Sequence, residues 1–144
     1  RTRLDDFPYA GKRPDTTCAT AAALEIWRRD AVQPAARDIF GQEVAQIEHF
    51  GSFSCRRMYG RDEGPWSEHA TANAIDIAGF VLEDGTRINV LNDWAGEGDR
   101  ADFLRAVRDG ACNSFSTVLS PDYNAAHADH FHFDMSPRWS GVCR

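Results

Sequence analysis

His130-Phe131-His132-Phe133-Asp134-Met135 alternates phenyl rings with polar groups at a period of two, the side-chain period of a β-strand. Phe131 and Phe133 share one face, which must be core, while His130, His132 and Asp134 share the other. The polar run SPDYNAAHAD at 120–129 leads into this strand and brings His127 and Asp129 to its start. Upstream of that loop, FSTVL at 115–119 predicts a further strand. Phe103, Leu104, Val107 and Ala111 form one apolar face of a helix over 99–109, capped by Asp99 and ended by Gly110. Asp84-Gly85 between 80–82 and 87–90 is a hairpin signal, and Ile75 and Ile77 around Asp76 read as a short buried strand over 74–78. Residues 43–54 read as one strand or two short ones, and 60–68 (GRDEGPWSE) as a loop. Ala23, Leu24 and Trp27 predict a first helix from Asp15 or Thr16 to about Asp30, and Pro34 opens a second that Gly41 terminates. Residues 1–14 lack periodicity and read as an irregular arm. Helices early and hairpins later predict an α+β fold, a small antiparallel sheet with helices packed on one face, as a single domain over 1–144.

The composition narrows the functional classes. The chain has 144 residues, 42% apolar and 26% charged, with a formal net charge of -6. That suffices for one buried core, and no apolar run reaches the roughly 18 residues of a membrane span. Arginine supplies every basic residue except Lys12, and no basic stripe offers itself to phosphates, so a nucleic-acid partner is not expected. Cys18, Cys55, Cys112 and Cys143 are widely spaced with no C-x-x-C pair, which favours two disulfides and an oxidising compartment and leaves three pairings open. The chain begins at Arg1 without a signal segment, so any such segment is expected to have been removed already.

The stretch SEHATANAIDIAG at 67–79 adds a second polar feature, His69 seven residues before Asp76. In one strand the two would stand about 23 Å apart and in one helix about 10 Å along the axis, so neither lets them touch one ion. They converge only if His69 lies on a loop that doubles back, a path that Gly64, Pro65 and the small residues 70–73 permit. A carboxylate inside Ala-Ile-Asp-Ile-Ala needs a partner, and a metal would supply one. One Asp and two His give three protein ligands with a fourth position open, the pattern of a catalytic zinc site. Spacing leaves His130 and His132 as alternatives for the second imidazole. The chemistry of such a site is hydrolysis by metal-activated water, with a nearby carboxylate as general base, and Asp129, three residues before His132, is placed for it.

These residues carry a resemblance. H-x6-D in SEHATANAID followed by HADHFH resembles the zinc D-Ala-D-Ala metallopeptidases and their wider group with lysostaphin-type endopeptidases and the hedgehog domain. More closely, GSFSCR, SEHATANAIDIAGF, FLRAVRDGAC and TVLSPDYNAAHADHFHFD resemble the bacterial extensin-like C-terminal domain family, over about residues 18–144. The resemblance implies a hedgehog or D-Ala-D-Ala-peptidase-like fold, zinc as cofactor, His69, Asp76 and His132 as ligands, and Asp129 as acid and base. It decides for His132 over His130, and sets His130 and His127 beside the site, steadying the base or the oxyanion. Many members of the wider group have Glu where Asp129 stands, one methylene longer, although Asp is also used. Arg56 matches the position that grips a terminal carboxylate in that group.

Simpler readings apply elsewhere. Trp27, Phe103 and Leu104 read as core, and His49 as an ordinary strand histidine. Ser67 lacks the G-x-S-x-G surroundings of a nucleophile. Trp66, Tyr123 and Asn124 lie on loops beside the motifs and are candidates to line a peptide cleft. Two functions follow as expectations: a periplasmic or secreted monomeric zinc peptidase acting on peptidoglycan stems or cross-links, or a zinc-stabilised module that binds the cell wall or a protein without turnover. The hedgehog domain, where the site architecture can outlive peptidase activity, motivates the second.

Overall fold

A computed structural model describes residues 2–3, 15–16, 18–51, 74–135 and 141–144. The strand read from the alternation of rings is present: β7, as it falls in chain order, covers Phe131–Asp134, with Phe131 and Phe133 fully buried. It pairs antiparallel with β4 (Ala74–Leu82) on one side and with β6 (Thr117–Leu119) on the other. β3 (Val44–Gly51) pairs antiparallel with the other edge of β4, and β5 (Arg87–Asn89) also pairs with β4 through the Asp84-Gly85 turn. β8 (Val142–Cys143) lies parallel to β6, completing a six-stranded, mostly antiparallel sheet in the order β3-β4-β7-β6-β8 with β5 branching off β4. The fold is α+β.

β4 is longer than either short segment expected over 74–78 and 80–82. Ile75 and Ile77 are buried, and so are Phe80 and Leu82, which is one position out of phase. The pairing shows why: Ile77 faces His49 and Gly79 faces Glu48, so Ala78 is an extra residue and the strand is bulged there. A Cβ on Gly79 would stand 2.7 Å from the Ile88 carbonyl oxygen, so glycine is what lets β5 close up on the bulge.

The helical layer begins with α1 (Cys18–Trp27), whose buried Thr20, Ala23, Leu24 and Trp27 recur at three and four residues. The first helix does not start at Asp15 or Thr16, because those residues form β2 and pair antiparallel with β1 (Thr2–Arg3). The arm expected to be irregular therefore carries a strand at its start. The two helices expected on either side of residues 31–33 are joined without a break: a π-helical turn over Arg28–Val32 leads into α2 (Gln33–Phe40). This wide turn sits just ahead of Pro34, whose missing N–H cannot serve the Asp30 carbonyl. α2 ends at Gly41, in the left-handed conformation at φ 70°, with its N–H on Arg37 O at 3.0 Å. β5 stops at Asn89 rather than Val90, because the Asn89 side chain accepts from Asn92 N and caps the short α3 (Val90–Asp93). α4 (Asp99–Ala111) buries Phe103, Leu104, Val107 and Ala111 as its spacing requires.

Aromatic contacts join the layers. Trp27 meets Phe133 edge-on at 5.0 Å between centroids and Phe80 at 5.9 Å, and Phe103 meets Phe80 at 5.1 Å. Each such pair adds about 0.5–1.5 kcal/mol beyond the area it buries. Trp27 Nε1 donates to Val107 O at 2.8 Å, tying α1 to α4. The buried Gln33 amide bonds both the N–H and the C=O of Val44, at 2.8 and 3.1 Å, and so docks α2 on the first residue of β3. Cys112, just after α4, and Cys143 in β8 form a disulfide with Cα atoms 5.8 Å apart. Of the two disulfides expected, the other cysteines are Cys18, at the exposed start of α1, and Cys55, outside the described residues. No helix among the described residues is long and apolar enough to cross a membrane.

Candidate functional site

The register of β4 against β7 brings the polar residues together. Asp76 and His132 are direct cross-strand partners, between the pairs Ile75 with Phe133 and Ile77 with Phe131. The isoleucines and phenylalanines line the core, so Asp76 and His132 project from the other face. His132 Nδ1 lies 3.3 Å from Asp76 Oδ1, and His130 Nε2 lies 3.7 Å from the same oxygen. His130 Nδ1 is 2.8 Å from Asp129 Oδ1. Carboxylates only accept, so the ring donates there. On its far side, His132 presents Nε2 to Asp134 Oδ2 at 2.7 Å.

His127, on a 3-10 turn over Ala125–His127, sets its ring 5.0 Å from that of His130 and 6.2 Å from that of His132. Asn124 Oδ1 lies 2.7 Å from His127 Nδ1, and Tyr123 stands edge-on to the same ring at 5.5 Å. At the opposite margin the exposed Phe50, near the end of β3, meets His130 edge-on at 6.0 Å.

Exposure grades across the cluster. The side chains of His130 and His132 are each 15% exposed and that of Asp76 20%, whereas Asp129 is 46% exposed and Asp134 only 3%. Burial opposes a positive charge on His132, but hydrogen bonds to Asp134 and Asp76, with their charges, outweigh it and raise its pKa to about 9. His127 moves the other way: burial first, then repulsion from His130 and His132, lower its pKa against the pull of Asp76 and Asp129.

Of the residues expected at the site, Asp76, Asp129, His130, His132 and His127 form one cluster, with Tyr123 at its edge. His69, Arg56 and Trp66 lie outside the described residues. Among the described residues no group of three or more His, Cys, Asp or Glu side chains is arranged to hold a metal ion. Two donors of the expected set can be measured. Ligand atoms about 2.0–2.1 Å from a tetrahedral zinc stand about 3.3–3.4 Å from each other. Asp76 Oδ1 and His132 Nδ1, at 3.3 Å, have the spacing and the chemistry of two neighbouring ligands.

Three further participants are not evident from sequence. Asp134 shares the histidine face, and a carboxylate two residues beyond a strand histidine must stand beside it. Asn124, a candidate cleft residue by its place on the loop, also pairs with His127. Phe50 read only as a strand residue, since its approach to His130 depends on the β3–β4–β7 order.

The sequence model of the family described as extensin-like protein C-terminus matches residues 5–144. No curated protein and no solved structure matches the chain.

Proposed function

The chain belongs to the extensin-like protein C-terminus family, and from that premise we propose that it is a single-domain zinc peptidase of the bacterial periplasm or exterior, cleaving the peptide stems or cross-links of peptidoglycan. The observation that carries this reading is the cross-strand pair of Asp76 and His132 with the hydrogen-bonded pair of Asp129 and His130 beside it. The motif likeness to the D-Ala-D-Ala metallopeptidases and the hedgehog domain supports the substrate class. His69, Asp76 and His132 would hold the ion. When bound, zinc supplies Lewis acidity to the attacked carbonyl and to water.

The chain's own groups do the proton work. Asp129 is the most exposed carboxylate of the cluster, open to water, and accepts a hydrogen bond from His130 Nδ1 that orients it. It takes a proton from the attacking water and returns it to the leaving amine. His127, with its lowered pKa, stays neutral near pH 7 and donates its one N–H, at Nδ1, to Asn124 Oδ1, which sets the ring and leaves Nε2 as an acceptor for an N–H of the bound peptide. By the motif likeness, Arg56 would receive a terminal carboxylate, and Tyr123 and Trp66 would contact the peptide.

Incubation of intact murein sacculi with the protein and zinc, with the protein and EDTA, and with Asp129→Ala tests this, with fragments followed by mass spectrometry. Release with zinc alone is expected, and at least about 100-fold less with Asp129→Ala. Equal release in all three sinks the peptidase. Retention on sacculi without cleavage points instead to the binding module.

A further inference from the structure

We propose that Asp134 is a positioning residue: it holds the His132 ring by Nε2, so that Nδ1 is the nitrogen turned toward Asp76 and the site. The inference rests on the reading of His132 as a metal ligand and deepens it by naming the group that orients that ligand.

The two nitrogens of His132 have unlike partners. Nε2 is 2.7 Å from Asp134 Oδ2, the length of a charge-assisted hydrogen bond, whereas Nδ1 is 3.3 Å from Asp76 Oδ1, beyond that range. The tight contact is thus on the side away from His130 and Asp129. Asp134 is 2% exposed overall, and a carboxylate buried that deeply is costly unless its oxygens are bonded. Its backbone is held from both sides, since β7 pairs with Thr117 of β6 and with Ala74 of β4 at this residue. The carboxylate is therefore anchored to the centre of the sheet, and the ring it grips lies between it and Asp76. An imidazole that donates one N–H to a rigid carboxylate has its orientation set, and the proton it gives up to a metal is then the one on its other nitrogen. The alternation that makes the strand amphipathic puts the orienting group on the same face as the ring it orients, two residues on.

Long-range proton–nitrogen NMR spectra of the wild-type protein, metal-free and with one equivalent of zinc chloride, give a readout that does not depend on activity. His132 Nε2 is expected to carry a slowly exchanging proton in both states, and only the Nδ1 resonance to move on adding zinc. His127, at the exposed margin, is the internal comparison. In Asp134→Asn the protection of the Nε2 proton is expected to be lost. Zinc affinity, read by competition with a chromophoric chelator, is expected to fall about 10–100-fold while the circular dichroism spectrum is retained. A wild-type spectrum in which His132 Nε2 has no protected proton overturns the inference, as does an Asp134→Asn protein that binds zinc as tightly as wild type. Failure of the wild type to take up zinc removes the metal reading, and the protected Nε2 proton still decides the part played by Asp134, whether or not the variant folds.

Discussion

His132 lies between two carboxylates, and this gives the metal-free protein a definite pH response. Its pKa is raised to about 9 from an ordinary 6.5, so the folded state holds the proton more tightly than the unfolded chain. A raised value contributes stability that is fully present below about 6.5 and lost as pH climbs through about 9. The contribution is on the order of 3 kcal/mol, as an upper figure. Urea denaturation with EDTA present is expected to show wild type ahead of His132→Gln at pH 6, with the gap closing by pH 10. A gap that stays constant would contradict the charged-ring account. Bound zinc would compete with the Nδ1 proton, so loading at neutral pH is expected to release protons, which calorimetry in buffers of different ionisation enthalpy measures.

At the scale of the element, β4 shows what could and could not be seen in one dimension. Its apolar residues alternate in one phase through Ile77 and in the other from Phe80, which in sequence reads as two segments, and only the pairing with β3 identifies the extra residue. Gly79 at that point is expected to resist change: in Gly79→Ala the new Cβ meets backbone at Ile88, and about 1–3 kcal/mol of stability should be lost by thermal or urea denaturation. Gly96, where the nearest atom to an added Cβ is 3.7 Å away, is the control that should stay within about 0.5 kcal/mol. The same distinction covers the rest of the fold. The α4 stripe, the Asp84-Gly85 turn and the Gly41 cap depend on neighbours in sequence and were legible. β1, β8 and the π-helical turn depend on distant partners or on a local widening of the helix, and were not. For the site, the face shared by His130, His132 and Asp134 was legible from the period. The pairing of Asp76 with His132 was not, because register is decided by the whole sheet.

The molecule as a whole is tied by the bond between Cys112 and Cys143, 31 residues apart in sequence. That loop contains β6, the 3-10 turn and β7, and with them His127, Asp129, His130, His132 and Asp134. Closing a loop of this length stabilises the fold by about 3–4 kcal/mol in the chain-entropy account. Cys143→Ser is expected to lose about that much, read from the urea midpoint under non-reducing conditions. A loss below about 0.5 kcal/mol would show that the sheet holds the C-terminus without help. The bond also changes what a protease can do to this protein. One cut anywhere between residues 113 and 142 leaves two pieces still linked by sulfur, which migrate as one species on a non-reducing gel and separate once reductant is added. A nicked molecule would thus keep the strand of His132 tethered to the part of the chain that bears Asp76, and damage in the loop over the site need not be the end of the protein's working life.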